Sequence, residues 1–416
     1  MSLLAPPVAA PFGALVAACQ ARGELVVQPR MGFADPAAMR AGLLATGAAR
    51  AATIGTVTLD SYTRVGDHGA VRQALAAGAD LNGYPLVDHD HDVTAAMLAG
   101  LGFPVQVRHG SADPRRIVLA LLDHGLHATE GGPVSYCLPY SRTPLATAVE
   151  HWRQACALLA AHPDAHLETF GGCMMGQLCP PSLLVALSVL EGMFFWEHGI
   201  RCISFSYAQQ THPGQDEEAL AALRTLIGRY VPHARAHMVV YTYMGVYPRT
   251  PGGALGLLAE SARLAVRAGA GRLIVKTTAE AHRLPTVAEN VAALEYAAAA
   301  ARSAHRRSST ADTGVLAEAT DLIDNVLSLD DDLGTALVKA FATGQLDVPF
   351  CLHPDNAGRA RGYLDAEGRL RWQRVGAMPI AAGPPGPDRI TAAGLLDALR
   401  FVERRFDSTS LEWSGP

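Results

Sequence analysis

Eight short β-like runs, each followed by a stretch with helical apolar spacing, constrain this chain more than any other feature. The runs are Glu24–Gln28, Ala52–Leu59, Pro104–Arg108, Leu126–Glu130, Ala165–Phe170, Arg201–Ser206, Ala236–Tyr241 and Arg272–Lys276. Between them, segments such as Pro181–His198 and Glu217–Tyr230 repeat apolar residues every three or four positions. Alternating strands and helices predict a parallel sheet, and eight units over roughly 250 residues predict a closed (β/α)8 TIM barrel. The open, doubly wound alternative lacks its Gly-rich first turn. No GxGxxG follows the first run, and Gly252, Gly253 and Gly256 come late and out of context.

This reading divides the chain into an N-terminal segment (1–23), a barrel (24–305) and a C-terminal α+β extension (306–416) packed on the barrel. The polar stretch Arg302–Thr313 predicts an exposed connection, and a Pro- and Gly-rich region runs from Val348 to Pro387. Val16-Ala17-Ala18-Cys19 mimics a lipoprotein cleavage box. However, no Lys or Arg precedes Arg22, and Pro6, Pro7 and Pro11 interrupt the apolar run, so a leading segment and first helix are expected. No uninterrupted apolar stretch predicts a membrane span. A formal charge of −5 and a pI near 6.3 give no electrostatic footprint for nucleic acid. Seven scattered cysteines without a CxxC pair fit reduced thiols and a cytoplasmic setting better than a disulfide framework or a zinc site.

Ligands of such a barrel bind at the C-terminal strand ends. The first run leads into Arg30, the second into Arg64, and the third ends in Arg108 followed by His109. The fourth ends in Glu130, with Tyr136 and Tyr140 beyond it, and the eighth ends in Lys276, with Glu280 a helical turn on. Guanidinium groups stay charged and present planar forks that match carboxylates. Three of them gathered with one glutamate describe a pocket for a small amino dicarboxylate, the glutamate meeting the ammonium group. A single strand-end Arg is ordinarily a surface ion pair, the reading taken for Arg72 and Arg201. His109 is open to two roles, acid–base or hydrogen-bond donor on one side and packing on the other. The Asp88-His89-Asp90-His91-Asp92 run predicts a solvated loop rather than a metal site, because adjacent loop residues point in different directions. Met174-Met175 and Phe194-Phe195-Trp196 predict core, not a cofactor box. Lys276 keeps open a cofactor-independent lyase or aldolase that works through a Schiff base.

These residues carry a resemblance. QPRMG (28–32), LDSYTR (59–64), LNGYP (81–85), VQVRHG (105–110), TEGGPVSYCLPY (129–140) and VKTTAEA (275–281) resemble the large (E, or epsilon) subunit family of methylaspartate mutase, also called glutamate mutase. KAFATGQLDVPF (339–350) and NAG (356–358) extend the match into the C-terminal region, from about Val26 to about Pro379. The family's fold is a TIM barrel. The resemblance implies an adenosylcobalamin-dependent isomerase that interconverts (S)-glutamate and (2S,3S)-3-methylaspartate by a radical mechanism in which the substrate fragments and recombines. The cofactor would be held largely by a separate small cobalamin-binding subunit. The absence of a DxHxxG motif here fits the large subunit, paired with itself within a heterotetramer. The resemblance further implies that Arg30, Arg64 and Arg108 clamp the substrate carboxylates and that Glu130 meets the ammonium group. Gln106, His109, Tyr136, Tyr140 and Phe170 would line the substrate pocket. Lys276 and Glu280 would contact the adenosyl ribose, Met244 would lie near the cofactor, and Gly32 would let it approach closely. GGCMMGQLC (171–179), SFSYAQQTHPGQD (204–216) and YTYMGVYP (241–248) depart from the family pattern. A related mutase acting on a different amino dicarboxylate in a biosynthetic pathway is therefore the alternative within this reading.

Overall fold

A computed structural model describes residues 10–174, 178–307, 311–381, 383 and 391–411. Residues 1–9 of the leading segment, Met175, part of the Arg302–Thr313 connection and part of the Pro- and Gly-rich region lie outside the described residues.

Eight parallel strands form the barrel: β1 (Val26–Pro29), β2 (Gly55–Thr58), β3 (Val105–Arg108), β4 (Ala128–Gly131), β5 (His166–Thr169), β6 (Cys202–Ala208), β7 (Arg235–Tyr241) and β8 (Arg272–Val275). From β2 to β8 each strand pairs with the next, β8 pairs with β1, and an isolated Val27–Thr53 bridge joins β1 to the segment before β2. All eight fall on or within a residue or two of the expected runs. Six of the eight are buried along their whole length, as strands of a parallel sheet covered on both faces are. Helices wrap the outside. Pro181–Glu197 is buried almost throughout, since the barrel covers one side and the extension helix Val315–Leu327 the other. Phe194 and Phe195 are fully buried there, as the apolar run predicts.

The barrel interior is polar. Arg272 and Glu168 are both fully buried and ion-paired, and Gln28, Gln106 and Ser204 hydrogen-bond to one or both of them. A buried ion pair holds when its remaining donors and acceptors are satisfied, and these amides and hydroxyls do that. The opposite end is closed by the helix Phe12–Ala21. Phe12 lies 4.5 Å from the His166 ring and under the Arg272 guanidinium at 4.9 Å.

The extension adds the helices Val315–Leu327 and Leu333–Thr343 and an antiparallel hairpin, β9 (Arg361–Leu364) with β10 (Leu370–Arg374). Its apolar side chains share one continuous core with the barrel. Among the described residues no helix is long and apolar enough to cross a membrane.

Candidate active site

Local geometry brings the expected side chains to the C-terminal ends of the strands. Arg108 closes β3, and its Nε donates to Glu130 Oε2 at 2.8 Å, with both residues buried. Tyr136 donates to the other Glu130 oxygen. Tyr136 also packs on Phe170, ring centroids 5.0 Å apart, and on Tyr140 at 5.9 Å. Arg64 does not end the second strand as expected. It occupies the last turn of the short helix Ser61–Val65, which starts because Asp60 accepts the backbone N–H groups of Tyr62 and Thr63. The charges of Arg30 and Arg64 both reach the Tyr140 hydroxyl, and that of Arg64 reaches His109. The clamp candidates thus gather on one rim.

Among the described residues three donors of this group are buried without a partner: Arg64 Nε, Arg108 Nη1 and His109 Nε2. His109 Nδ1 accepts the Ser111 N–H at 3.0 Å, so a neutral ring carries its proton on Nε2. Burial, aided by the Arg64 charge, pushes His109 down to about 3. That direction favours a neutral ring, packed against Tyr136 and Trp152 with Nε2–H as a donor, over an acid–base group.

On the other side of the mouth, Lys276 follows β8 and lies 3.6 Å from Glu280, which is 3.9 Å from Arg30. Burial, with Arg30 nearby and against the pull of Glu280, lowers Lys276 to about 8. Its ammonium rests 5.0 Å from the Tyr247 ring centroid. Met244 is half-buried just beyond β7. Gly32 has a packing reason of its own: a Cβ there would lie 2.3 Å from the Thr58 carbonyl oxygen. Gln106 does not join the rim group. It stands two residues before Arg108 on β3, fully buried, and its amide engages Gln28, Glu168 and Arg272.

A cavity of about 910 Å³ opens beside the rim between Arg64, Ser111, Arg116, Tyr140, Arg142 and the extension residues Phe350–His353. The Asp88–Asp92 run is not the solvated loop expected: His91 and Asp92 begin the helix His91–Leu98, and the Asp88 side chain is buried. Asp88 accepts from His68 at 2.6 Å and from Arg72 at 3.1 Å, and among the described residues no group of side chains could hold a metal ion. Arg201 is not the ion pair expected of it; it stacks 4.1 Å over Trp196 and donates to backbone carbonyls.

Sequence reasoning missed three contributors. Tyr241 ends β7 and reaches Glu130 at 2.7 Å. Glu168 lies beneath it, paired with Arg272. Glu191, on the helix Pro181–Glu197, accepts the backbone N–H groups of Val134, Ser135, Phe170 and Gly171 and the Ser135 hydroxyl. It thereby fixes the two loops that carry Tyr136 and Phe170. Burial lifts Glu191 to about 7 while the Ser135, Gly171 and Phe170 donors pull the other way. A charged residue inside an otherwise buried run was the available signal, since such a residue needs a partner.

Residues 7–383 match the family described as methylaspartate mutase E chain. The chain is 31% identical over 342 residues to the glutamate mutase epsilon subunit of Halobacterium salinarum, covering 78% of this chain and 71% of that protein. It is 31% identical to the corresponding subunit of Haloarcula marismortui, covering 76% and 68% of the two chains. The identity to that of Escherichia coli O157:H7 is 28%, covering 78% and 72%.

Proposed function

The chain belongs to the methylaspartate mutase E chain family, and on that premise we propose that it is the catalytic subunit of a mutase interconverting (S)-glutamate and (2S,3S)-3-methylaspartate. The observation that carries the reading is the group of buried donors Arg64 Nε, Arg108 Nη1 and His109 Nε2, unpartnered among the described residues, after the second and third strands. Such donors are costly unless an acceptor-rich guest meets them. A dicarboxylate supplies four oxygens and also offsets the charge of the arginines. Arg30 and Arg64 hold the carboxylates, Arg108 orients Glu130 for the ammonium group, and His109 donates from Nε2. Tyr136, Tyr140 and Phe170 wall the pocket and exclude water. Fixed guanidinium forks suit a rearrangement in which two fragments must stay in register while a bond breaks and re-forms.

The chemistry of the rim fits adenosylcobalamin. Lys276 and Glu280, 3.6 Å apart, offer a donor and an acceptor to ribose hydroxyls, and the resemblance adds Met244 and Gly32 to the cofactor's surroundings. Adenosylcobalamin held there would supply radical chemistry, while this chain's residues hold and orient the substrate. A small cobalamin-binding subunit would cover the C-terminal face, where Tyr62, Val65 and Leu352 are exposed, within a heterotetramer containing two copies of this chain.

The test combines this chain with a matching small subunit, adenosylcobalamin and glutamate. A substrate-dependent change in the visible spectrum of the cobalamin, with 3-methylaspartate formed, is expected. If the full set gives neither with glutamate but turns over another amino dicarboxylate, the substrate assignment is wrong; no response to any amino dicarboxylate removes the mutase reading. The lowered Lys276 favours one competing reading, imine chemistry on that residue. Borohydride trapping of a carbonyl substrate on Lys276 without any need for cobalamin would establish it.

A further inference from the structure

The helices Ala392–Leu399 and Phe401–Leu411 follow the part of the chain that matches the family, and the second packs along Pro251–Ala268, the helix after β7. Val402 on it is buried in an apolar cluster separate from the main core. That cluster holds Tyr243 and Tyr247 from the segment after β7, and Ala281 from the segment after β8 packs against it.

Polar contacts fix the same place. Asp407 Oδ2 accepts the Arg249 N–H at 3.0 Å, and Oδ1 accepts the Thr250 N–H at 3.0 Å and its hydroxyl at 2.6 Å. Thr250 Oγ in turn accepts the Gly253 N–H as the N-cap of Pro251–Ala268. The approach is close enough that a Cβ at Gly253 would lie 2.5 Å from Asp407 Oδ1. Glu403, buried, pairs with Arg249 Nε at 3.2 Å. From the other side the Arg249 carbonyl is hydrogen-bonded to His282 Nε2 at 3.0 Å, two residues beyond Glu280. The turn at Arg249–Thr250 is therefore held between the C-terminal helix and the segment after β8.

This turn ends the segment that carries Tyr247, whose ring centroid lies 5.0 Å from the Lys276 ammonium. A cation over an aromatic face is attracted to it, more strongly out of water. Lys276 is buried, and the charged groups that act on it are Glu280, at 3.6 Å, and Arg30. The Tyr247 hydroxyl has no partner among the described residues, so no hydrogen bond of its own fixes the ring. Packing against Val402 and the anchored turn set its position.

We propose, resting on the reading that Lys276 and Glu280 meet the adenosyl group, that the helix Phe401–Leu411 clasps the cofactor edge of the mouth, with Asp407 and Val402 as positioning residues that set Lys276 through Tyr247. Arg64, Arg108 and Glu130 stand after or at the ends of β2, β3 and β4, across the cylinder from β7. The clasp acts on one edge only, so it serves cofactor binding and leaves the substrate clamp alone.

The chain has two lysines, Lys276 and Lys339, and Lys339 is exposed and paired with Asp330. Carbon-13 labelling of lysine therefore gives one NMR signal for the site and one internal reference. In the full chain alone, Lys276 is held down to about 8 chiefly by burial. Asp407→Ala frees the turn and lets water reach the ammonium, so proton affinity at Lys276 should rise about tenfold with Lys339 unmoved. Asp407→Asn, which keeps an acceptor for Thr250, should move it less. Val402→Ala loosens the packing on Tyr247 without touching the turn and should move it the same way as Asp407→Ala. With the small subunit present, Asp407→Ala should raise the KM for adenosylcobalamin about tenfold and keep that for glutamate within about twofold. A Lys276 titration that stays or falls in either Asp407→Ala or Val402→Ala, once folded, overturns the clasp, and so does a rise in the glutamate KM without one for adenosylcobalamin. Absence of turnover in the wild-type complex instead overturns the mutase reading, and the lysine titration still decides the clasp.

Discussion

Gly132→Ala isolates how firmly the site loops are held. A Cβ at Gly132 would lie 2.0 Å from Glu191 Oε1 and 2.1 Å from its Cδ, far inside van der Waals contact. Glu191 cannot step aside at low cost, because its five hydrogen bonds tie it to the loops after β4 and β5. Relief requires either a backbone shift at 132, costing about 1–3 kcal/mol as overpacking, or loss of the Val134 and Ser135 bonds to Oε1, about 1–3 kcal/mol for each buried N–H. The cheaper route sets the cost, about 1–3 kcal/mol. At about 2.1 cal/mol/K per residue, 416 residues unfolding as one unit give an unfolding entropy near ~0.9 kcal/mol/K, so Tm should fall by about 1–3 °C. Tyr136 and Phe170 ride on the displaced loops, so KM should rise about tenfold, equivalent to about 1.4 kcal/mol of binding. Differential scanning calorimetry and steady-state kinetics read the two effects. Gly102→Ala is the control, since nothing lies within 4 Å of a Cβ there, and its Tm should hold or rise slightly. Adding Glu191→Asp, which withdraws the carboxylate by one methylene, should recover part of the Tm lost in Gly132→Ala. If Gly132→Ala matches wild type in both Tm and KM, Glu191 does not hold these loops.

Arg64→Lys should reduce kcat/KM at least 10²-fold, because a point charge cannot replace a bidentate fork; normal turnover would remove Arg64 from the clamp. His109, held to about 3 by burial and Arg64, should remain the neutral Nε2–H form in nitrogen-15 NMR from pH 8 down to about 5, and protonation near 6.5 would refute the assignment. Lys276 loses its proton as pH rises through about 8, which removes its attraction to Glu280. Activity should therefore decline above that pH, and in Lys276→Arg the decline should move to higher pH even if the maximum is lower.

The strand ends were legible because a buried parallel strand is a short β-rich run bounded by polar residues. Arg108, Glu130 and Lys276 stood where those runs stop. Arg64 was placed correctly near the rim but on the wrong element, since a five-residue helix is too short to show periodicity and its only local mark is the Asp60 cap. Gln106 carried the same signature as its rim neighbours, yet it lies in the interior network, because two residues along a strand is one layer deeper in the barrel. Glu168, Tyr241 and Arg272 were counted as parts of runs. Their partners are 111, 104 and 73 positions apart, distances over which no local pattern speaks.

What the amino-acid order settles by itself is the alternation of strand and helix, and with it a barrel whose strand ends carry arginines and a glutamate. Those follow from local propensity and hydrophobic spacing. Closure decides the rest: β8 meets β1, Arg272 bridges Gln28 on β1 and Glu168 on β5 across the interior, and Arg64, Arg108 and His109 are withdrawn from water far enough for their unpartnered donors to matter. Solvation and proximity are properties of the closed cylinder, because they depend on residues brought together from every strand.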